Sequence, residues 1–359
     1  MPGPNSLTTI DSEGEAGYHT SITIGADGLP IVSYMDNLNH TLKVAHCDDL
    51  ACNTATISTL DNSSYSFTFT SITIGPDELP IISYCDGANL DLKVAHCNDL
   101  ACTSAVLTTL DSTGNVGEFS SITIGADDLP VISYYDATNQ DLKVAHCNDL
   151  ACTSATLKTV VYGQVGAHTS IAIGSDGLPI ITYMDVANYA LNGVHCYNFA
   201  CTSAIGFTVD SDFAEGWYSS IAIGIDGLPV ISYPGAGDLH VASCKDVSCS
   251  SVTSAGVDSV GDINMNTSIT IGADGMPVIS YYDAIPNADL KFAHCLDLDC
   301  TTSVVITLDS PGYVGLFSSV AVGTDGLPVI SYYSFDGNTH GLKIAHCSNA
   351  YCSTYFTRR

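Results

Sequence analysis

SITIGADDLPVISYYDATNQDLKVAHCNDLACTSATLKT, residues Ser121 to Thr159, decides the fold, because close copies of it fill the rest of the 359-residue chain. Set in register on their opening aliphatic residue, the copies begin at Ile22, Ile72, Ile122, Ile171, Ile221, Ile269 and Val320, with spacings of 50, 50, 49, 50, 48 and 51 residues. A period near fifty marks a repeat architecture, and a unit of this size cannot bury its own faces alone. The expectation is one closed domain over residues 1–359, with repeats starting near 20, 70, 120, 169, 219, 267 and 318.

Within the unit, Ser121-Ile122-Thr123-Ile124 alternates polar and apolar residues as a half-buried strand does. Gly125 to Asp128 forms a turn, which reads Asp-Gly in most copies (Asp27-Gly28, Asp176-Gly177, Asp226-Gly227) and so favours a tight hairpin. Pro130 opens the next strand, where its missing N–H is tolerated. Val131 to Tyr135 is β-branched and aromatic, a more deeply buried second strand. After the polar loop Asp136–Gln140, Leu142 to Cys147 makes a third strand. The chain resumes at Cys152 and gives a weaker fourth, Ala155 to Val160. No window carries helical spacing.

Four antiparallel strands in each of seven units give an all-β, seven-bladed β-propeller, which packs successive sheets face to face around an axis. A solenoid is the rival, but its terminal units should be atypical and polar, and these are not. Closure has its own signal: the seventh copy runs out before its fourth strand, and Leu7-Thr8-Thr9-Ile10-Asp11 at the other end matches Leu107–Asp111. The N-terminal strand, 7–11, is expected to complete the last blade. If Tyr355 to Arg359 formed that strand instead, residues 7–11 would have no partner.

The Gly272–Asp283 run, GADGMPVISYYD, resembles the repeats of secreted bacterial seven-bladed propellers, loosely akin to the Asp-box repeats of sialidase-like proteins. Tyr stands where many Asp boxes end in Trp. The resemblance implies a propeller fold and an exported setting more than an activity. Kelch repeats would need a Gly-Gly pair and WD40 repeats a Trp-Asp, and neither is present.

The net charge of −29 reflects a scarcity of bases: nine Lys and Arg, both Arg being Arg358 and Arg359. A phosphate-binding groove needs Lys and Arg to displace counterions, so nucleic acid is close to excluded, and anionic surfaces are disfavoured. At 46% hydrophobic residues the chain still has ample material for a core. No apolar stretch reaches the length of a membrane span, and MPGPNS lacks a signal peptide's charged and apolar regions, so an exported protein would be in a mature or trimmed form.

Fifteen cysteines suit an oxidising, extracellular or cell-surface location. They fall into C-x4-C pairs, Cys47/Cys52, Cys97/Cys102, Cys147/Cys152, Cys196/Cys201, Cys244/Cys249, Cys295/Cys300 and Cys347/Cys352, with Cys85 left over. A four-residue loop joining the third and fourth strands is expected to place the two cysteines directly opposite each other, near the ~5.5 Å Cα separation a disulfide accepts. A metal site is the rival, since His46, His96, His146, His195, His294 and His346 precede the first Cys. The fifth copy keeps both cysteines yet has Ser243 in place of His, which separates the two residue types and favours disulfides with structural, hydrogen-bonded histidines.

Two repeated positions remain as candidates for binding. Asp36, Asp86, Asp136, Asp185 and Asp283 follow the second strand, where the other copies have Pro234 and Ser334. Ahead of each opening strand lies a position held by His19, Phe69, Phe119, His168, Tyr218, Asn266 and Phe317, next to the single Trp, Trp217. Aromatic rings stack on sugar faces while carboxylates accept hydroxyl protons, and the same acids would suit Ca²⁺, the one cofactor considered. The plainer reading is that the Asp caps a turn and the aromatic fills the gap between blades. Catalysis is less well served: sialidase chemistry needs an Arg cluster, and a glycosidase needs two carboxylates in distinct environments. A lyase would have to draw on His19, His168, Tyr189 and Tyr218. The expected function is therefore a binding propeller, lectin-like toward neutral carbohydrate or a surface protein, because equal blades offer equal weak sites that add by avidity. A polysaccharide-degrading enzyme and a self-assembling surface or filament subunit are the alternatives.

Overall fold

The computed structural model describes residues 4–62, 68–211, 217–259, 265–284, 286–310 and 312–353. Among them every regular element is a β-strand, and the strands form seven antiparallel sheets of four. No helix in the described residues is long and apolar enough to cross a membrane. Blade 3 shows the common plan: inner strand Val116–Ile124, second Pro130–Asp136, third Asp141–Cys147 and outer Ala155–Val161. Inner strands of successive blades pack on one another all the way round, including the first against the seventh.

The ring closes as the sequence suggests. Ser6–Asp11 pairs antiparallel with His340–His346 and is the outer strand of blade 7. The alternative closing segment at 355–359, and with it Arg358 and Arg359, lies outside the described residues.

Burial follows from the stacking. Second strands such as Pro30–Asp36 are buried along their whole length because both faces are covered by neighbouring blades, whereas outer strands such as Ala55–Asn62 are largely accessible. Six tyrosines of the second strands, Tyr34, Tyr84, Tyr134, Tyr233, Tyr281 and Tyr332, are the largest fully buried side chains. Close approach between blades also dictates some glycines. Gly166 has φ +103°, and a Cβ there would lie 2.7 Å from the Leu142 Cα of the preceding blade, a contact no side chain permits.

All seven C-x4-C pairs are disulfides: Cys47–Cys52, Cys97–Cys102, Cys147–Cys152, Cys196–Cys201, Cys244–Cys249, Cys295–Cys300 and Cys347–Cys352, with Cα separations of 4.7 to 5.0 Å. Cys85 is free and buried. On the chain-entropy model each closed loop stabilises its blade by about 2 kcal/mol. Seven disulfides belong to an oxidising location.

The placement expected for the second cysteine of each pair needs correction, although its bonding does not. Cys52, Cys102, Cys152, Cys201, Cys249, Cys300 and Cys352 do not stand opposite their partners at the head of the fourth strand. Each lies inside the connecting loop, in the left-handed region, with φ between +49° and +52°. The residue opposite Cys47 is Ala55, and the one opposite Cys147 is Ala155. The reason is that the hairpin ladder runs on past the third strand: the Asp48 N–H donates to the Thr54 carbonyl at 2.9 Å, which leaves Cys52 within the turn. There the chain doubles back, as the Cys52 N–H donates to the Asp49 carbonyl at 3.0 Å, and the same bond recurs at Cys102, Cys152, Cys201, Cys249, Cys300 and Cys352. The left-handed turn swings the second sulfur under the first, so the disulfide closes a loop, not a cross-strand pair.

The histidines of the third strands hold the Asp-Gly turns in place. Nε2 of His46, His96, His146 and His346 hydrogen-bonds Oδ2 of Asp27, Asp77, Asp127 and Asp325 at 2.8 to 2.9 Å. His195 and His294 lie 2.9 and 3.1 Å from Asp176 and Asp274, without the alignment of a hydrogen bond. The other oxygen of each turn Asp caps its own loop, as Asp27 Oδ1 does by accepting from the Leu29 N–H at 3.1 Å.

Candidate functional site: the axis and the face above it

Call the face carrying the blade-to-blade connections and the loops between second and third strands the upper face. The Asp-Gly turns and disulfide loops then form the lower one. Where the inner strands leave the upper face, six of them depart from regular pairing, as between Tyr18 and Ser21 or Glu118 and Ser121, and the blade 5 strand begins only at Ser220. The residue at this kink is left-handed in all seven blades: His19, Phe69, Phe119, His168, Tyr218, Asn266 and Phe317 have φ between +46° and +55°. Bulky residues avoid this region, and each instance costs on the order of 1–3 kcal/mol unless its surroundings enforce it.

The kink brings the rings together around the axis. Consecutive centroids are 4.2 Å apart for Phe317–His19, 4.3 Å for His19–Phe69, 4.1 Å for Phe69–Phe119, 3.9 Å for Phe119–His168 and 4.0 Å for His168–Tyr218, all tilted. Asn266 interrupts the circle. Six of these residues thus lie within the inner strands and Tyr218 lies in the turn just ahead of one, and the rings among them meet around the axis, away from the Asp carboxylates. Strain and contact can be separated at Phe119. Phe119→Ala should cost about 3–5 kcal/mol, whereas Phe119→Gly, although it removes one more carbon, should cost about 1 kcal/mol less because glycine accepts this φ freely. Urea unfolding of both variants measures this, and a glycine variant less stable than the alanine one would contradict enforced strain.

Below the rings lie two circles of hydroxyls, missed in the sequence although the TSI and SSI triplets that carry them recur there. The upper circle crosses each blade boundary side chain to side chain: Ser33–Thr70 at 2.8 Å, Ser133–Thr169 at 2.8 Å and, at the seam between the last blade and the first, Thr20–Ser331 at 2.8 Å. In the lower circle a serine accepts from the next blade's backbone, as Ser21 does from the Ile72 N–H at 3.2 Å and Ser319 from the Ile22 N–H at 3.2 Å. Rings and hydroxyls together line an open axial cavity of about 170 Å³. Nδ1 of His168 and Oδ1 of Asn266 are buried at its wall without a hydrogen-bond partner. Burial pushes the imidazoles of both His19 and His168 down to about 3, with His19 adding to the effect at His168. Both are neutral at pH 7.

The five repeated Asp lie elsewhere, at the upper ends of the second strands, and all are buried. Asp36 Oδ1 accepts from the Glu15 and Asn39 N–H groups at 3.1 Å each, and its Oδ2 accepts from Asn39 Nδ2 at 2.7 Å. Asp86, Asp136, Asp185 and Asp283 take the corresponding Asn89, Asn139, Asn188 and Asn287 amides. Burial works against the Asp36 charge, but these bonds and Lys43 outweigh it and hold the carboxyl below its ordinary value.

A second feature, the place of the third-strand lysines, has no signal in the sequence. They are enclosed between blades. Lys143 Nζ bonds Asp111 Oδ2, an acid at the end of the preceding blade's outer strand that also accepts from Tyr134 Oη at 2.8 Å. Lys43–Asp11, Lys93–Asp61, Lys291–Asp258 and Lys343–Asp309 repeat the pair. Five of the seven lysines are therefore neutralised inside, and Lys245 pairs with Asp299. Acids dominate what is left outside.

The upper face carries aromatics unevenly. Trp217 is 40% exposed with its ring 5.2 Å from that of His168, at the mouth of the axis, and Tyr162 and Tyr189 are exposed on the same face, near blades 3 and 4. Glu15 and Glu118 stand at the starts of inner strands, held by Asn37 and Asn115 at 3.0 Å each.

Seven four-stranded sheets closed by an N-terminal strand define a seven-bladed β-propeller. No protein-family model matches the sequence, and no curated protein matches it. Among solved structures it is similar to a protein of unknown function from Dyadobacter fermentans, at TM-score 0.60 and 9% identity over 95% of this chain and 97% of that one. It is similar also to the NanB sialidase of Streptococcus pneumoniae, at TM-score 0.56 and 11% identity over 96% and 70%. The α-L-arabinanase of Penicillium chrysogenum complexed with arabinobiose gives TM-score 0.55 and 11% identity over 96% and 97%. At such identities the likeness is one of fold.

Proposed function

We propose that this propeller binds neutral glycan on its upper face without cleaving it, in an exported setting. The observation that carries the reading is Trp217, an indole 40% exposed at the axial mouth beside the packed rings. An exposed indole on a rigid wall is a platform for a pyranose ring, and Tyr162 and Tyr189 extend it across neighbouring blades. Hydroxyl acceptors are at hand in Glu15, Glu118 and the loop amides, and five of the seven lysines that could draw an anionic sugar are enclosed. The five Asp act through the loops they shape. Two of the fold neighbours are a sialidase and an arabinanase complexed with arabinobiose, so the scaffold serves glycan chemistry in those proteins.

Several features argue against catalysis here. The repeated carboxylates share one environment, whereas glycoside hydrolysis needs two distinct ones. His19 and His168 titrate near 3, far from the operating range of a base at neutral pH. The test is a neutral-oligosaccharide array followed by titration of the best ligand. Trp217→Ala should weaken binding by about tenfold or more, with no new reducing ends after long incubation. Absence of any bound neutral glycan, or equal binding by the variant, overturns the reading, and released reducing ends would establish an enzyme.

A further inference from the structure

On the lower face the seven blades are alike except in one place. Six third strands carry, just before the first cysteine of the disulfide, a histidine whose Nε2 lies 2.8 to 3.1 Å from the Oδ2 of an Asp-Gly turn or its equivalent. In blade 5 the histidine is Ser243, while the acid of the turn, Asp226, is retained. Asp226 Oδ1 still caps its loop, accepting from the Leu228 N–H at 3.0 Å. The imidazole that meets Oδ2 in the other blades is missing, and nothing has collapsed into its place. A cavity of about 160 Å³ opens between blades 5 and 6, lined by Asp226, Pro229, Ser243, Lys245, Pro277 and Leu298.

This void has the chemistry of the ring it lacks. Proline and leucine side chains form apolar walls, the carboxylate stands at one side, and the Ser243 hydroxyl is turned toward the Leu298 carbonyl at 3.4 Å. The nearby Lys245 ammonium is engaged by Asp299 at 2.7 Å and so does not neutralise Asp226, whose carboxylate is exposed at the edge of the niche. In blade 6 the corresponding His294 ring also packs on Tyr351 of the next blade's disulfide loop, at 4.4 Å between centroids, so an imidazole in this niche can meet the loop beyond it as well.

We propose that the blade 5 niche is a binding site for an imidazole ring, supplied either by a histidine of a partner protein or by a small imidazole compound, with Asp226 accepting the ring N–H. A charge-assisted hydrogen bond in a preformed apolar slot fits a five-atom ring with a Kd on the order of 1 mM. It differs from the glycan face in location and chemistry and does not depend on it.

The test uses the full chain without a histidine tag, titrated with imidazole alone and followed by amide NMR shifts. Saturable shifts confined to the Gly224–Val230 turn, Ser243–Lys245 and Leu298–Asp299 are expected. Ser243→His, which restores the residue of the other six blades, should keep the fold and abolish these shifts. Asp226→Asn should weaken binding by about tenfold. A Gly-His-Gly peptide distinguishes the sources: tighter binding than imidazole indicates a protein histidine, weaker binding a small molecule. Shifts that fail to saturate, that spread over all seven blades, or that persist unchanged in Ser243→His overturn the proposal.

Discussion

Replacing His19 and His168 together by phenylalanine is expected to abolish a large loss of stability between pH 6 and 4. In the unfolded chain a histidine protonates near 6.5, whereas burial lowers both of these rings to about 3 in the fold. A folded value below the unfolded one means that stability is complete above pH 6.5 and falls as the pH drops toward 3. The slope is about 1.4 kcal/mol per pH unit for each ring, roughly 2.7 for the pair. Phenylalanine already occupies this position as Phe69, Phe119 and Phe317, so the circle of rings accepts it. Urea unfolding at stepped pH should give a steep decline for the natural chain and a flat line for the double variant over this window. Below about pH 4 both should fall, as Asp36, Asp86 and Asp111, held beneath their ordinary values, become protonated. Equal slopes above pH 4 would show that the two histidines are not buried neutral rings.

Asp111→Val alone should cost about 3–5 kcal/mol, because it leaves the Lys143 charge enclosed without its main partner. The double change Asp111→Val with Lys143→Asn should recover most of that loss. The chain contains this pair of changes one blade further on: Val161 stands at the position of Asp111, and Asn192 at that of Lys143. There the Asn192 amide serves Asp185 at 3.1 Å, as an Asn at 143 would serve Asp136, which Lys143 now approaches at 3.8 Å. A double-mutant cycle read by chemical unfolding would give a coupling of a few kcal/mol. Additive single and double effects would mean that Lys143 and Asp111 do not depend on each other.

Two of the repeated positions were legible in the sequence for a simple reason. The position before each opening strand stood out because it is aromatic or His in six of seven copies, and the Cys pairs because their spacing is constant. Constant spacing identified the bonded partners but not their geometry, since the left-handed turn at Cys52 and its six equivalents depends on backbone bonds that spacing does not reveal. What the other residues do could not be read so easily. The Asp after each second strand looks like a ligand in sequence, yet hydrogen bonds from Glu15 and Asn39 already engage both oxygens of Asp36. The third-strand lysines simply alternate with Leu and Val in sequence, which names no partner for them. They are buried or half-buried because a blade has two covered faces, and alternation then separates one neighbouring blade from the other, not core from water.

By itself the sequence determined the seven units, their strands and turns, the disulfide in each and the N-terminal strand that closes the ring. All of these depend on neighbours within some fifty residues, or on a copy missing at one end and present at the other. Tertiary structure alone decided which lysine meets which acid, that a left-handed kink turns seven side chains onto one axis, and that the missing histidine of blade 5 leaves a void. Those contacts join residues of different blades, as Lys43 with Asp11 or Thr20 with Ser331. Such partners come within reach only once the sheets have stacked and the circle has closed.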